Sequence, residues 1–215
     1  MKAGFPEYIV VEGPIGVGKT SLAKNLADSL QVDLLLENAE ENPFLPAFYE
    51  NPSSAALPTQ LHFLFQRVKQ VEALKQTDLF RSAQIADYLL DKDRLFARVT
   101  LSDPEFDIYK QVYERMALAT PIPDLVIYLQ APVDTLMERI SRRGIDYEKY
   151  INEKYLKKIS DAYVDFFYHY SASPLLIINT EHFNLVDDDS NYKMLLEHIQ
   201  KLPPGKHYLN PQNMR

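Results

Sequence analysis

A glycine-rich segment near the start of the chain has the residue types that bind a nucleoside triphosphate. The eight-residue phosphate-loop pattern is matched without a departure by Gly13, Pro14, Ile15, Gly16, Val17, Gly18, Lys19 and Thr20. Glycines let the backbone curl so that its N–H groups face phosphate oxygens, and the following helix adds the positive end of its dipole. Lys19 is expected to reach the β- and γ-phosphates, and the Thr20 hydroxyl to ligate Mg²⁺. We therefore expect ATP and Mg²⁺ to bind these residues and the adjacent Ser21.

A glycine-rich turn can also merely join a strand to a helix, so the neighbouring elements decide its meaning. Apolar runs predict strands at residues 8–12, 33–37, 77–80, 125–129 and 175–178. Helical spacing of apolar residues predicts helices at 20–30, 42–49, 54–75, 85–101, 105–119, 133–143, 147–170 and 192–201. The motif thus lies between a buried strand and an amphipathic helix, as phosphate binding requires. This alternation predicts an α/β fold with a parallel sheet covered on both faces, in one domain over residues 1–215.

Two further segments carry local signals. Asp187 to Asp189 offer N-caps for the last helix. The tail over residues 203–215 has no periodicity and predicts an ordered arm or a frayed end.

The composition narrows the class of partner. The chain has 215 residues and a net charge of −7, so its overall field repels nucleic acid and favours a small phosphate compound. It has no cysteine, which excludes thiolate catalysis and cysteine-zinc sites. No apolar run has the length of a membrane span, and the first residues leave no room for a signal peptide. We expect a cytoplasmic protein that binds neither nucleic acid nor membrane.

A phosphate loop alone leaves kinases, GTPases, ATPases and motor domains open. The chain lacks the Asn-Lys-x-Asp segment with which GTPases read guanine. None of the later apolar strands ends in the metal-binding Asp that is usual in ATPases. The identity of the acceptor therefore has to be sought among the remaining polar residues.

Four such residues follow the phosphate loop. Glu37 ends the second predicted strand, and Tyr49, Gln60 and Arg67 follow at intervals of eleven and seven residues. From the phosphate loop to about Leu156, the chain resembles the deoxynucleoside kinases, particularly the bacterial deoxyadenosine and deoxyguanosine kinases. The resemblance implies that Glu37 is the base towards the acceptor hydroxyl. It implies that Tyr49 binds the sugar, and that Gln60 and Arg67 read the base.

The resemblance also assigns residues around the base pocket. It implies that Asp87 pairs with Arg67, a combination kept in purine and deoxycytidine kinases. Phe63, one helical turn beyond Gln60, is expected to narrow the pocket. The arginine that usually precedes the pocket aspartate corresponds to Arg81, although Arg81 lies six residues before Asp87 rather than five.

The segment from Asp134 to Glu148 resembles the helix and lid of the same kinases. The resemblance implies an arginine-bearing lid at about residues 139–149. Arg139, Arg142 and Arg143 would close over the triphosphate, and Glu148 would bind the sugar 3′-hydroxyl. Basic residues at a helix end also suit the helix dipole, but the dipole does not account for the strand, the helix and the Arg-Gly sequence together, so we favour the lid. Ile145 stands where the family has a further arginine.

Together these observations predict a P-loop kinase fold with a five-stranded parallel sheet, helices on both faces and an arginine-bearing lid. The implied reaction transfers a phosphate from ATP to the 5′-hydroxyl of a deoxynucleoside in nucleotide salvage, with Mg²⁺ bridging the phosphates. The resemblance also implies a homodimer and favours a purine. Two alternatives stay open: a thymidylate-type nucleoside monophosphate kinase, and a catalytically silent ATP sensor. The first should place extra arginines near Glu37, and residues 31–66 contain none.

Overall fold

The computed structural model describes residues 4–76, 83–89, 92–116, 121–183, 185 and 188–210. Its strands form a single parallel sheet in the order β2-β3-β1-β4-β5-β6. The described strands are β1 (Tyr8–Glu12), β2 (Asp33–Leu35), β3 (Gln84–Ala86), β4 (Leu125–Gln130), β5 (Leu175–Asn179) and β6 (Lys206–Leu209). The predicted α/β architecture is confirmed, but the sheet has six strands where five were predicted.

Helices cover the sheet and connect its strands. The described α-helices are α1 (Lys19–Leu30), α2 (Leu45–Glu50), α3 (Pro52–Gln76), α4 (Lys92–Thr100), α5 (Asp103–Met116), α6 (Val133–Arg143), α7 (Glu153–His169) and α8 (Asp189–Gln200). Two short 3₁₀ helices lie at Ala39–Glu41 and Asp146–Tyr150. Within the described segments, no helix combines the length and the apolar character that a bilayer crossing requires.

The central strands explain why the sheet needs both helical layers. Ile9, Val10 and Val11 of β1 are completely buried, and successive side chains point to opposite faces. Ile9 and Val11 contribute to a core shared with α1, α6 and α8, whereas Val10 contributes to a core shared with α4 and α7. Strands buried on both faces are typical of parallel sheets, and they place the phosphate loop at the carboxyl edge of β1.

The third strand corrects one prediction. Residues 77–80, where a strand was predicted, lie outside the described residues. The described β3 is Gln84–Ala86, in a stretch where a helix was predicted to begin at residue 85, and α4 begins only at Lys92. Its three residues pair with β1 on one side and with β2 on the other. This pairing with distant segments overrides the local pattern, which contains too few residues to show a period of two.

The end of the chain supplies the sixth strand. Lys206–Leu209 pairs in parallel with β5, although its sequence shows no apolar periodicity. The Lys206 ammonium donates a 3.0 Å hydrogen bond to the carbonyl of Phe167, which ties the strand to the end of α7. The cap predicted for the last helix is confirmed at Asp188, whose carboxylate accepts from the N–H groups of Ser190 and Asn191 at 2.9 and 3.2 Å.

Candidate active site

The phosphate loop joins β1 to α1 in the conformation that the motif predicts. Gly16 and Gly18 have φ angles of 83° and 103°, in the left-handed region that favours glycine. A Cβ atom on Gly16 would lie 2.8 Å from a side-chain carbon of Ile140 and 2.9 Å from the carbonyl of Leu136. Glycine is therefore required here, because α6 packs directly against the loop.

Lys19 lies over the inner side of this loop. Its ammonium donates hydrogen bonds to the carbonyls of Gly13 and Pro14, at 2.8 and 3.2 Å. Burial, followed by the nearby cation Lys92, lowers the pKa of Lys19 to about 8, although neighbouring carboxylates oppose this shift. A cation with a depressed pKa gains from an approaching anion, which suits a phosphate ligand.

Thr20 and Asp87 place two oxygen ligands beside the loop. The Thr20 hydroxyl donates a 2.5 Å hydrogen bond to Asp87 Oδ2, and Asp87 Oδ1 accepts from the backbone N–H of Glu37 at 2.7 Å. A hydroxyl and a carboxylate are hard oxygen donors, so they fit a Mg²⁺ ion at the end of a triphosphate. Thr20 was predicted for this role, whereas Asp87 was predicted to read the base.

Arg67 corrects the predicted base-pocket pair. Its guanidinium forms one ion pair with Glu37 and another with Asp93, and both Arg67 and Asp93 are buried. The predicted partner Asp87 instead bonds to Thr20 and to the backbone of Glu37, because it follows β3 directly at the edge of the phosphate loop. Asp93 is positioned by the first turn of α4, which packs against α3.

Glu37 lies between two cations. Arg67 contacts one of its carboxylate oxygens, and the Lys92 ammonium donates a 2.9 Å hydrogen bond to the other. Burial by itself would raise the pKa of Glu37, but Arg67 and Lys92 outweigh this and lower it to about 2. The carboxylate is therefore ionised at every pH at which proteins are normally assayed.

A cavity of about 150 Å³ opens in front of Glu37 and gathers most of the predicted acceptor residues. The predicted residues that line it are Ile15, Gly16, Lys19, Thr20, Glu37, Tyr49, Gln60, Phe63, Arg67, Asp87, Arg143 and Glu148. Tyr49 stacks on Tyr147 at 6.1 Å between ring centroids, and burial raises its pKa well above the usual tyrosine value. The cavity thus combines flat aromatic surfaces with a few charged and amide groups, as in small-molecule sites. We name it the acceptor cavity.

A second cavity, of about 600 Å³, lies on the other side of the phosphate loop. It is lined by the predicted residues Gly16, Val17, Gly18, Lys19, Thr20, Ser21, Arg139, Arg142 and Arg143. Gly16, Lys19, Thr20 and Arg143 line both cavities. We name this second space the donor cavity. The two cavities therefore meet at the residues predicted to hold the end of the triphosphate.

Comparisons with known proteins agree with this geometry. The family model described as "Deoxynucleoside kinase" matches residues 9–203. A curated deoxyguanosine kinase from Bacillus subtilis is 34% identical over 200 residues, which cover 91% of this chain and 97% of that protein. This chain belongs to the deoxynucleoside kinase family. It is a kinase that transfers phosphate to a nucleoside hydroxyl.

Other members of the family show the same extent of similarity. A deoxyadenosine kinase from Lactobacillus acidophilus is 30% identical over 210 residues, covering 91% of this chain and 95% of that protein. A solved deoxyadenosine kinase from M. mycoides superposes with a TM-score of 0.79 at 23% identity, covering 90% of this chain and 99% of that one. The family predicted from the sequence is therefore confirmed, and so is an α/β fold with a parallel sheet and helices.

The arginines of this deoxynucleoside kinase differ in their contacts. Arg139 donates to the hydroxyl and the carbonyl of Thr180 at 3.0 and 2.6 Å, and it lies 3.4 Å from the carbonyl of Val17. It thus connects the phosphate loop to the segment after β5. Arg143, at the end of α6, makes two hydrogen bonds to Glu148, at 3.0 and 2.5 Å. The residue predicted for the phosphate and the residue predicted for the sugar thus bind each other.

Three residues of the acceptor side were missed from the sequence, and one prediction lies outside the described residues. The missed residues are Glu12, Lys92 and Asp93, which form ion pairs around Arg67 and Glu37. The signal available was a run of four charges, Asp91 to Arg94, inside the helix predicted at residues 85–101, to which no role was assigned. Arg81, predicted as a second arginine of the pocket, lies outside the described residues.

Proposed function

We propose that this deoxynucleoside kinase transfers the γ-phosphate of ATP to the 5′-hydroxyl of a purine deoxynucleoside, as a step of nucleotide salvage. The observation that carries the proposal is the junction of the two cavities. The acceptor cavity contains Glu37, the donor cavity contains the phosphate loop, and the two share Lys19, Thr20 and Arg143. A phosphate held at that junction is within reach of a hydroxyl in front of Glu37.

On the donor side, the triphosphate replaces contacts that the loop makes with itself. Lys19 leaves the carbonyls of Gly13 and Pro14 and binds β- and γ-phosphate oxygens, and the N–H groups at the start of α1 bind the rest. Thr20 and Asp87 supply oxygen ligands for Mg²⁺. The bound ion would neutralise charge that develops on the phosphates.

On the acceptor side, Glu37 accepts the hydrogen bond of the 5′-hydroxyl and so orients the attacking oxygen. A carboxylate whose pKa is about 2 is a weak base. Phosphoryl transfer passes through a loose transition state in most analyses, so the hydroxyl proton leaves late and a strong base is not needed. Glu37 acts first by positioning the nucleophile and then by taking the proton as the new P–O bond forms.

The base is read at the closed end of the acceptor cavity. Gln60 can donate and accept hydrogen bonds simultaneously, and it is buried there beside Phe63 and Arg67. The Arg67 guanidinium lies 5.2 Å from the centre of the Phe63 ring, which fixes a flat surface for a base. The preference for purines is supported by the relatives, which are named deoxyguanosine kinase and deoxyadenosine kinase.

The segment at about residues 139–149 forms the lid of this site. The acceptor cavity of about 150 Å³ has the size that accommodates one benzene-sized ring. A deoxynucleoside is larger, so its binding requires neighbouring side chains to move. The Arg143–Glu148 pair separates when substrates bind, which releases Arg143 to the phosphates and Glu148 to the sugar 3′-hydroxyl. The left-handed Gly144 between them, with a φ angle of 70°, lets the chain turn.

A phosphorylation assay tests this function. Each of the four deoxynucleosides, and dTMP as a further acceptor, is incubated with the protein and Mg-ATP, and the products are separated by chromatography. We expect 5′-monophosphates, with higher kcat/KM for the two purines. Phosphorylation of dTMP alone would indicate the thymidylate-type kinase instead. ATP binding without turnover of any acceptor would favour the silent sensor.

A further inference from the structure

Lys92 occupies a position between two buried carboxylates that the proposed chemistry does not explain. Its ammonium lies 2.9 Å from Glu37 Oε2 and 3.4 Å from Glu12 Oε1, and its side chain is only 3% exposed. Burying a lysine is costly unless its charge is paired. Here α4 presents the ammonium to the acceptor cavity rather than to solvent.

Glu12 fixes the position of that ammonium. It is completely buried at the end of β1, and it accepts hydrogen bonds from the N–H groups of Gly13 and Leu89, at 2.9 and 2.7 Å. The Tyr163 hydroxyl donates a further hydrogen bond to Glu12, at 2.9 Å. These donors come from the phosphate loop, from the segment after β3 and from α7. Glu12 is therefore immobilised by three parts of the fold, and it lies beside Lys92.

Lys92 limits the rotation of the Glu37 carboxylate. Arg67 contacts Glu37 Oε1 and Lys92 contacts Oε2, so each oxygen is held by a different helix. If only Arg67 remained, the carboxylate could rotate about its last bond and still keep one ion pair. With both cations in place, the plane of the carboxylate is defined, and each oxygen keeps a lone pair for a further donor.

We infer that Lys92 is a positioning residue of the kinase reaction: held by Glu12, it fixes the second oxygen of Glu37 so that the carboxylate faces the acceptor hydroxyl. The inference rests on the proposed role of Glu37. Lys92 acts through Glu37 rather than on the substrate. Its loss should therefore lower kcat much more than it changes the KM for the deoxynucleoside.

The test compares Lys92→Met with Lys92→Arg, which keeps the charge, and with Lys110→Met on the exposed face of α5. We expect Lys92→Met to lower kcat by about 10²-fold, the scale of a misplaced reacting group, with the KM changed by less than about threefold. Lys92→Arg should restore most of the activity, and Lys110→Met should match the wild type.

Lys92→Met also leaves the Glu12 carboxylate without its cation, so the variant can fail to fold. The double variant Glu12→Gln with Lys92→Met removes both charges together and supports the same measurements. An unchanged kcat, or a KM that rises as much as kcat falls, in whichever variant folds overturns the inference while leaving the proposed function intact. If the wild type phosphorylates no deoxynucleoside, both fail together.

Discussion

The donor and acceptor cavities differ in the exposure of their cations and in the way their charges are balanced. The donor cavity is lined by a continuous loop and by arginines that reach solvent, since Arg143 is 45% exposed. In the acceptor cavity the cations are buried. The side chains of Arg67 and Lys92 are only 4% and 3% exposed, and each contacts two carboxylates. A triphosphate brings its own negative charge, so the donor side can keep its arginines near solvent, with contacts that the phosphates can replace. A neutral nucleoside brings none, so the acceptor side must pair its charges before the substrate arrives.

The Glu37→Gln substitution should have the largest effect, and it should impair the acceptor side while leaving ATP binding on the donor side intact. The amide keeps the size of the side chain but removes the charge that orients the hydroxyl and accepts its proton. We expect kcat to fall by about 10²- to 10⁴-fold. Binding of a fluorescent ATP analogue should stay within about twofold of the wild type, because the phosphate loop is untouched.

Glu40→Gln, an exposed change three residues further along the chain, serves as the control and should keep full activity. Full turnover by Glu37→Gln would remove Glu37 from the mechanism.

A second prediction concerns stability. Asp93→Asn leaves Arg67 with one carboxylate in a buried site, so we expect the free energy of unfolding to fall by about 3 kcal/mol. The matched change Asp161→Asn breaks the exposed Lys157–Asp161 pair and should cost less than about 1 kcal/mol. Urea denaturation monitored by circular dichroism measures both values. Equal losses would mean that the acceptor charges are not specially paired.

The Thr20 hydroxyl and the Asp87 carboxylate beside the phosphate loop should determine how much Mg²⁺ the reaction requires. In Asp87→Asn the side chain keeps its size but loses the charge that attracts Mg²⁺. We expect the Mg²⁺ concentration for half-maximal activity, at fixed ATP, to rise about tenfold or more. Asp28→Asn, on the exposed side of α1, is the control. The assignment of Asp87 is refuted by a Mg²⁺ titration that coincides with that of the wild type.

The smallest expected effect is the dependence of ATP affinity on pH. Lys19 has a pKa of about 8 in the free protein, so it loses its charge as the pH rises through that value. The phosphates of ATP favour the charged form of Lys19. Above this pH, Lys19 must therefore take up a proton when ATP binds. The affinity for ATP should be constant below about pH 7.5 and then fall by up to about tenfold per pH unit. Calorimetry at several pH values measures it, with Lys19→Met as the pH-independent reference.

The main segments of the donor side could be predicted from the sequence because each of them is contiguous in the chain. The phosphate loop is a contiguous motif, and α6 has the bounds that its apolar spacing predicted, Val133–Arg143. Gln60 and Arg67 were also placed correctly in one cavity, because both lie on one face of α3 and a helix fixes their spacing.

The acceptor charges could not be predicted in the same way. Whether Asp87 or Asp93 meets Arg67 depends on where β3 ends, and β3 is specified by its pairing with β1 and β2 rather than by its three residues. Lys92 has a role only because Glu12, at the end of β1, lies beside it. Likewise β6 is defined by its pairing with β5. These features are determined by contacts between segments that are distant in the sequence, so the local periodicity of apolar residues does not predict them.

The central claim is that the two cavities bind donor and acceptor end to end across Lys19, Thr20 and Arg143. A bisubstrate compound, adenosine joined through its 5′-oxygen by a chain of phosphates to a purine deoxynucleoside, tests it most directly. Because one molecule then fills both sites, we predict one bound per chain, with an affinity exceeding that of either half by about 10²-fold or more. It should compete with ATP and with the deoxynucleoside alike. A compound that displaces ATP but leaves deoxynucleoside binding unchanged would contradict the account.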